Sequence, residues 1–486
     1  MPRAWSQPLY TRESLRGDVA LLQTLLILAA FAAVVTLIFL ARVKRLATFG
    51  ITFLPLKANV TAPPGGFGVG SAGSALWTFP TVLIAAIMVA WGAEVGQFIV
   101  SQGMSLAILA WLQVLPEFTV EAAITHSAAL DPSKLGLITA NFTGANRLLV
   151  GVGWPLIFFV SFYFYRRGAR KAKEGCERVG AYHVQLSEDH SVEVMALLVS
   201  TLVALIIYFK GTLTWMDSAM LIGVYVGYLA ILSRLPPESE SEQDHVRGVP
   251  KMVLARPRRM QVVFVFTMFL LGGTMLFLVA EPFLKSLEAI AIIVAGAGAE
   301  YFFIQWVAPF LSEFPEKVSA FYWARTVKFS PMAVMNMISS TINQWTVLIA
   351  MIPIVFCISL MRLETIHFSD FQRWEIVLTI AQSMYAVTIL LKMRITVVDA
   401  TSLFVFWFVQ FVTGTLTFDV NGYDLTVHEV MTVVYLVCGL AQLAYHWNEL
   451  TFERDFRATW RKHIAHTRGP SSEEMGHAGE DAHRPE

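Results

Sequence analysis

Long runs of apolar residues constrain this chain more than any other feature of its sequence. A run of roughly 18 or more apolar residues can cross the hydrocarbon core of a bilayer as a helix, and such runs recur along most of the chain. Of its 486 residues, 56% are hydrophobic and 15% are charged, whereas a soluble globular protein carries about 25% charged residues. The sequence therefore predicts an all-α polytopic membrane protein.

The apolar runs predict twelve membrane spans, and a charged loop at 234–259 divides them into two halves. The segments at 104–130 and 287–325 are interrupted by polar residues and proline. The predicted spans are 18–41, 76–100, 104–130, 134–165, 191–209, 212–233, 260–282, 287–325, 331–361, 373–391, 394–415 and 425–446.

Charge, cysteine and motif content exclude several classes of protein. The chain has 36 basic residues (lysine and arginine) and 36 acidic residues (aspartate and glutamate). Its net charge is therefore zero, and no positive potential that would attract nucleic acid is expected. The three cysteines are an odd number and two lie in apolar segments, which argues against a disulfide framework or a cysteine-based metal site. The predicted spans carry no H-E-x-x-H, G-x-S-x-G or GxGD-type motif, so an intramembrane enzyme is not expected. We expect no cofactor, and we expect the lipid bilayer and small inorganic cations as partners.

Lysine and arginine in the short loops predict the orientation, because positively charged loops stay on the cytoplasmic side. The loops at 166–173, 234–259, 325–328, 392–394 and 454–457 are basic and fall on one side of the predicted topology. That side, with both termini, is expected to be cytoplasmic in a cell (inner) membrane. The basic residues at 42–45 conflict with this topology, so either the first span is misplaced or that region folds back on the surface.

Two apolar segments carry proline followed directly by glutamate, one in each half. The first is WLQVLPEFTVEAAI (111–124), with Pro116 and Glu117, and the second is LSEFPEKVSA (311–320), with Pro315 and Glu316. Charged residues at membrane depth are costly and are usually functional. We therefore expect both glutamates to belong to a functional site in the protein interior.

The two prolines also predict free backbone oxygens beside these glutamates. Proline has no amide hydrogen, so the carbonyl four residues earlier, at Leu112 or Leu311, loses its helical partner. In a membrane such a carbonyl is tolerated only where it lines a polar cavity. Pro116 and Pro315 are therefore expected to break their helices at a polar site.

A polar stretch follows each Pro-Glu segment, ITANFTGANRLLVGVG in the first half and MNMISSTINQW in the second. Asn141 lies 24 residues after Glu117, and Asn336 lies 20 residues after Glu316. This pattern predicts an internal repeat of about five spans. Because five is odd, the second copy crosses the membrane in the opposite direction. Inverted repeats place the substrate site near the midplane, between the copies and on broken helices.

The repeat sets the predicted domain boundaries. They are an extra N-terminal helix with a polar linker (1–75), a first repeat (76–233), a cytoplasmic loop (234–259), a second repeat (260–418), an extra C-terminal helix (419–453) and a cytoplasmic tail (454–486).

The residue types at the predicted site suit a hard cation. Calcium takes six to eight oxygen ligands from carboxylates, carbonyls, amides or water. Glu117 and Glu316, one from each half, would neutralise a divalent ion as its metal ligands. Without a cation the two carboxylates would repel, so at least one is expected to hold a proton. The residue types thus predict an interior site for a divalent cation such as calcium.

The paired segments resemble the alpha repeats of the cation/calcium exchanger superfamily, the sodium/calcium exchangers and their prokaryotic relatives. The family pattern is roughly G-T-S-x-P-E, then G-N-x-x-G-S-N-I-F-N about twenty residues later. The resemblance covers about 76–418. It implies a secondary active cation antiporter that works by alternating access, with calcium as the transported ion and Glu117 and Glu316 as central cation ligands. The retained positions are Pro116, Glu117, Asn141, Gly144 and Asn146 in the first copy, and Ser312, Pro315, Glu316, Asn336 and Ser340 in the second. The further candidate cation-binding residues that it implies are Asn141, Asn336, Glu313, Ser312, Gln113 and Ser340.

Three charged residues depart from the family pattern. Glu313 replaces a serine, Lys317 replaces an apolar residue, and Arg147 stands where the family has isoleucine. Lys317 follows Glu313 by four residues, so the two form either a charge-compensated third site carboxylate or an ordinary helical pair. Arg147 is expected to neutralise an acid such as Glu121 or Glu300, or to contact substrate. Because a fixed positive charge can replace a bound cation, the alternative is a degenerate exchanger acting as a structural or sensing subunit.

The aligned positions also bear on the counter-ion, which in this family is H+ or Na+. Sodium needs several neutral oxygens, but the aligned positions are Val114, Leu137, Ala145 and Met332, which offer no side-chain oxygen. Protons need only a carboxylate. The sequence therefore favours exchange of the cation for protons over exchange for sodium.

Overall fold

The structure is a computed structural model that describes most of the chain. The described residues are 71–96, 98, 115–172, 182–232, 248–295, 300–325, 327, 330–414, 417–420 and 423–468. The predicted first span at 18–41 lies outside them, as do Leu112 and Gln113.

Helices dominate the described part of the chain, and its strands form three short antiparallel pairs. Within this part, seven helical stretches are long and apolar enough to cross a membrane. The chain is thus a multi-pass helical membrane protein, as its apolar runs predict. The seven stretches are Ala72–Gly96, Pro132–Arg167, Ser191–Lys210, Trp215–Leu232, Arg258–Ile293, Ser330–Leu360 and Val427–Tyr445.

In the first half, a π-helical turn at Leu149–Gly153 lies within one of these stretches. The α-helices are α1 (Ala75–Gly96), α2 (Leu115–Leu130), α3 (Leu135–Leu148), α4 (Trp154–Ala172), α5 (Ser191–Lys210) and α6 (Trp215–Leu232). The strands are β1 (His183–Gln185) and β2 (Thr212–Leu213), and 3₁₀ turns occupy Ala72–Ser74, Pro132–Lys134 and Glu188–His190.

In the second half, π-helical turns occupy Phe303–Val307 and Gln344–Leu348. The α-helices are α7 (Val249–Leu254), α8 (Arg258–Ala295), α9 (Glu300–Phe302), α10 (Ala308–Ser312), α11 (Phe314–Arg325), α12 (Ser330–Asn343), α13 (Ile349–Leu360), α14 (Asp370–Leu390), α15 (Val397–Thr413), α16 (Val427–Tyr445) and α17 (Phe452–Arg468). The strands are β3 (Ile366–His367), β4 (Arg394–Thr396), β5 (Thr417–Val420) and β6 (Tyr423–Thr426), and a 3₁₀ turn occupies Trp447–Glu449.

Side-chain caps fix where three of the later helices begin. Ser369, Thr396 and Thr426 each accept a hydrogen bond from the backbone amide three residues later. In each case the side chain of that later residue returns a bond to the cap residue's amide. These capping boxes satisfy amides that have no partner within the helix, so α14, α15 and α16 begin at defined residues.

Helix α8 differs from the two spans, 260–282 and 287–325, that the sequence predicts around Pro282. It continues through this proline to Ala295 and contains 38 residues, which corresponds to a length of about 57 Å. A proline inside a membrane helix is tolerated when neighbouring helices satisfy the freed backbone groups. The charged residues near it are also compensated, since Lys285 pairs with Glu281 and Lys134 pairs with Glu288.

The short strands connect the two halves reciprocally. Strand β1, which precedes α5, pairs antiparallel with β4, which follows α14. Strand β2, which follows α5, pairs antiparallel with β3, which precedes α14. Helices α5 and α14 also pack against each other. The start of each helix is thus tied to the end of the other, and the two run in opposite directions.

Two reverse turns repeat the same contacts at the ends of α5 and α14. In the sequence KGTLTWMD, Lys210 pairs with Asp217, which also accepts bonds from the Thr214 amide and hydroxyl. In KMRITVVD, Lys392 pairs with Asp399, which accepts the same two bonds from Thr396. The residue after each lysine has a positive φ, 67° for glycine and 50° for methionine. The two turns therefore share sequence spacing, backbone conformation and bonding.

Candidate cation site

The Pro-Glu pair of the second half lies at the start of a helix. Phe314 is the first residue of α11, so Pro315 is the second and Glu316 the third. Proline is accepted there because amides of the first helical turn have no partner within the helix. In the first half, the described part of α2 starts at Leu115, and Pro116 and Glu117 follow it. The Glu117 side chain is buried, whereas the side chain of Glu316 lies outside the described residues.

The chain leaves the helix at Glu313, between α10 and α11. The Glu313 amide donates to the Pro309 carbonyl at 2.9 Å, and α11 begins at the next residue. Leu311 and Ser312 are the last two residues of α10, and the buried Ser312 hydroxyl donates to Pro309 at 3.3 Å. The break thus places a carboxylate at the junction of two helical segments. The region that precedes α2 in the first half lies outside the described residues.

Gln344 connects carboxylates from the two halves. Its Nε2 atom donates to Glu117 Oε1 at 2.9 Å and to Glu313 Oε1 at 2.6 Å. Glu117, Glu313 and Gln344 are at most 3% exposed. The Gln344 Oε1 atom is also buried and has no hydrogen-bond partner within the described structure. Two acids and an unused amide oxygen therefore meet in the protein interior.

Lys317 adds a positive charge to this cluster. Its ammonium group pairs with the carboxylate of Glu313, one helical turn earlier. The Lys317 side chain is 6% exposed and that of Glu313 is 0% exposed. Since both charges are removed from water, each depends on the other for compensation. Lys317 is thus held at Glu313, in the cluster that also contains Glu117 and Gln344.

The predicted asparagines occupy different environments. Asn141 on α3 donates through Nδ2 to Glu121 at 2.6 Å, and its Oδ1 atom has no partner among the described residues. Glu121 is fully buried and also receives the Thr125 hydroxyl at 3.5 Å. Asn336 on α12 is half-buried, and its Nδ2 atom has no partner among the described residues. Asn141 therefore contacts Glu121 on α2 and not Glu117. Ser340, also on α12, is buried.

Arg147 pairs with Glu375 on α14, and with neither Glu121 nor Glu300 as the sequence suggested. The reason is tertiary, because α3 packs against α14 and both of these side chains are buried. The Glu375 carboxylate also receives Gln305 Nε2 at 2.9 Å, and the His428 Nε2 atom lies 2.6 Å from it. Arg147 thus belongs to a buried polar cluster, to which the second half contributes Gln305, Glu375 on α14 and His428 on α16.

Sequence reasoning missed four residues of these clusters, Gln344, Glu375, Gln305 and His428. Gln344 lies at the end of the quoted polar stretch, but no carboxylate close in sequence marks it as a site residue. Glu375 lies at the edge of the predicted span 373–391, where an acidic residue is expected to lie at the interface between lipid and water. A signal was present, because Gln372, Glu375 and Gln382 are all polar residues of α14 that face the interior.

The donor set of the candidate site consists of carboxylates, amides and hydroxyls. Within the described part of the chain, no three histidine, cysteine, aspartate or glutamate side chains form a metal-binding group. The site around Gln344 instead combines two acidic oxygens, a neutral amide oxygen and an adjacent ammonium group. Hard cations accept such mixed oxygen ligands. Buried acids in the interior of a multi-pass helical protein are typical of one class, the membrane transporters.

Comparisons with known proteins agree with this class. The family model described as sodium/calcium exchanger protein matches residues 70–234. The solved structure of an H+/Ca2+ exchanger, CAX, is 28% identical and aligns with a TM-score of 0.72. That alignment covers 91% of this chain and 99% of the exchanger. The chain is thus similar to sodium/calcium exchanger proteins over residues 70–234, and to the CAX exchanger over most of its length.

Two other comparisons add nothing to this assignment. The sodium-calcium exchanger NCX_Mj aligns at 15% identity over 72% of this chain and 99% of its own, but its TM-score is 0.46. A search among curated proteins found no match.

Proposed function

We propose that this protein is a secondary active antiporter that exchanges calcium for protons by alternating access. The cation ligands are the carboxylates of Glu117 and Glu313 and the amide oxygen of Gln344, together with Glu316. Asn141, Asn336, Ser312, Ser340 and Gln113, with the backbone carbonyls of Leu112 and Leu311, are the further candidates. No cofactor takes part, and the chain acts as a transporter and not as an enzyme.

The observation that carries this proposal is the Gln344 amide between two buried acids. Its Nε2 group binds both carboxylates, at 2.9 Å and 2.6 Å, in the place where a cation between them would sit. An N–H donor can substitute there for a cation, since both attract negative oxygens. When calcium enters, the amide turns and offers its unpartnered Oε1 atom as a ligand. The same three residues thus serve the cation-free and the cation-bound state.

The repeat that alternating access requires has support in the fold. Helices α5 and α14 are antiparallel and exchange their flanking strands reciprocally. The Lys210–Asp217 and Lys392–Asp399 turns follow them with matching bonds. The segments Leu135–Leu148 and Ser330–Asn343 both have 14 residues, and a five-residue π-helical turn follows each. These correspondences support two inverted repeats at 76–233 and 260–418, with the ion site between them.

The remaining segments complete the proposed organisation. A first extra helix and its linker occupy 1–75, a loop occupies 234–259, an extra helix occupies 419–453, and a tail occupies 454–486. In this arrangement both termini and the central loop are cytoplasmic, in the inner membrane of the cell. Basic residues on this side, such as those at 166–173 and 454–457, support the orientation.

Protons are the proposed counter-ion for two reasons. The family positions for neutral sodium ligands are Val114, Leu137, Ala145 and Met332, and none has a side-chain oxygen. A third buried carboxylate, Glu121, lies one turn after Glu117 on α2. Carboxylates close together in the interior favour proton binding when no cation is present. An entering divalent ion would expel these protons, and returning protons would expel the ion.

The second candidate function is a degenerate exchanger that serves as a structural or sensing subunit. The observation in its favour is Lys317, whose buried ammonium group already compensates Glu313. If this pair never separates, the site holds one carboxylate fewer for a cation. Direct binding separates the two candidates. Purified protein that binds no cation saturably would support the degenerate function.

The test of transport uses purified protein in calcium-loaded liposomes with the membrane potential clamped. One set receives an inward proton gradient, and the other receives an inward sodium gradient at constant pH. We expect protons to drive calcium release. Release driven by sodium alone would reverse the choice of counter-ion, and release in neither set would remove the antiport proposal.

A further inference from the structure

Helix α17 has three distinct faces. Its protein-facing side carries Asp455 and Thr459, which are buried, and the Thr459 hydroxyl donates to the Glu188 carbonyl at 3.0 Å. A second side carries an aromatic row at four-residue spacing. The ring centroids of Phe452 and Phe456 are 5.8 Å apart, and those of Phe456 and Trp460 are 6.1 Å apart. Residues at this spacing share one face of a helix.

The third face of α17 is basic and exposed. Arg454, Arg457 and Arg461 follow one another at three- and four-residue spacing, and all three are exposed. Arg457 pairs with the exposed Glu453, and such a surface ion pair contributes little. Arg454 pairs with the buried Asp455, while its own side chain is 77% exposed. Over Phe452–Arg468 the sequence has five lysines and arginines against two acids. The helix is therefore amphipathic, with aromatic and positively charged sides.

The fold holds this helix next to the ends of two long helices, α14 and α16. It begins seven residues after Tyr445, the last residue of the membrane-spanning α16. The Phe452 amide donates to the Leu391 carbonyl at the end of α14. Tyr445, at the end of α16, is 84% exposed, and Trp447, between the two helices, is 66% exposed. Exposed aromatic residues of this kind mark the interface between lipid and water.

We propose that α17 binds the anionic phospholipid headgroups of the leaflet at this face of the protein. The aromatic row lies in the interfacial layer, where Trp460, which is 41% exposed, gains an apolar environment. The three arginines donate to lipid phosphates, whose geometry suits the planar guanidinium group. Anionic lipid thereby fastens the ends of α14 and α16 to the leaflet, independently of the ion that the protein transports.

Hydrogen exchange on the full-length protein in nanodiscs tests this binding. One set of discs contains phosphatidylcholine only, and the other contains added phosphatidylglycerol. We expect the amides of α17 to exchange more slowly with the anionic lipid, and high salt should remove the difference. Each basic residue near an anionic surface is worth about a fivefold change in binding. The triple variant R454Q/R457Q/R461Q should therefore exchange at the same rate in both kinds of disc.

The control is the double variant R362Q/R373Q. It removes two arginines near the start of α14, whereas α17 lies at the end of α14. It should keep the lipid-dependent slowing, because Arg362 follows α13 and Arg373 lies at the start of α14. Equal exchange of the wild-type α17 in the two lipids would overturn the proposal and assign this face to protein contacts alone. Slowing that persists in the triple variant would also overturn it.

Discussion

The Glu313–Lys317 pair allows a quantitative test of the candidate site. Both side chains are almost completely buried, at 0% and 6% exposure. Removing one member of a buried pair leaves an uncompensated charge and costs about 3–5 kcal/mol of stability. Glu313→Ser should therefore lower the free energy of unfolding by this amount, and Lys317→Leu should do the same. Glu313→Ser also strands an ammonium group beside the site and should impair calcium flux.

The double variant Glu313→Ser/Lys317→Leu removes both charges at once. Replacing a buried pair by neutral residues is often close to neutral in stability, so the double variant should recover most of the lost stability and flux. The resulting coupling energy should be about 3 kcal/mol or more. Reversible unfolding in mixed micelles gives the stabilities, and liposome flux gives the activity, for all four members of the cycle.

The pair Glu281–Lys285 on α8 is a matched control with the same four-residue spacing. Its side chains are 35% and 39% exposed, so its coupling should be about 0.5 kcal/mol or less. Purely additive losses at Glu313 and Lys317 would refute the reasoning. They would mean that burial does not make the two charges depend on each other.

Three further changes probe other parts of the fold. Glu117→Gln or Glu316→Gln should abolish calcium flux in liposomes while the protein still inserts and folds. Because Lys317 already compensates Glu313, only one uncompensated carboxylate would remain, and it cannot neutralise a divalent ion. Glu375→Gln should lower the free energy of unfolding by about 3–5 kcal/mol, because it leaves Arg147 buried without its acid. Gly144→Ala should cost about 1–3 kcal/mol, because the added Cβ would lie 1.9 Å from the backbone oxygen of a neighbouring π-helical turn.

Each of these changes has a control or a contradicting result. Wild-type flux in both glutamine variants would remove the two glutamates from the transport site. Glu364→Gln breaks a pair whose arginine is 68% exposed and should change stability by less than about 1 kcal/mol. Gly223→Ala adds a Cβ to a helix position with nothing within 4 Å, so destabilisation equal to that of Gly144→Ala would rule out the steric explanation.

The helices were predictable because their causes are local. A bilayer requires about 20 apolar residues for each crossing, and Ser330–Leu360 and Val427–Tyr445 lie close to the spans predicted at 331–361 and 425–446. The exception was Pro282, where a local rule predicts a break but α8 continues. Whether a proline ends a membrane helix depends on which helices pack beside it, because they can satisfy the freed backbone groups. The sequence alone does not show which helices those are.

The candidate site was predictable only in part, since its contacts join distant segments. Glu117 and Glu313 were visible as acids in apolar surroundings, but the amide that joins them comes from Gln344, more than two hundred residues after Glu117. The acid that binds Arg147 lies on α14, far from the two acids that the sequence suggested. The proposed repeat has a further signal in the sequence besides the Pro-Glu pairs, namely the matching segments KGTLTWMD and KMRITVVD.

The sequence by itself determined that the chain crosses a membrane many times, that its two halves share a Pro-Glu segment, and that acids lie at membrane depth. These features depend on hydrophobicity and on the backbone chemistry of proline, which act over a few residues. The tertiary structure decided which acids meet, how Gln344 bridges them, and which charges compensate Lys317 and Arg147. Burial makes each of these contacts strong, and burial is settled only when the helices pack together.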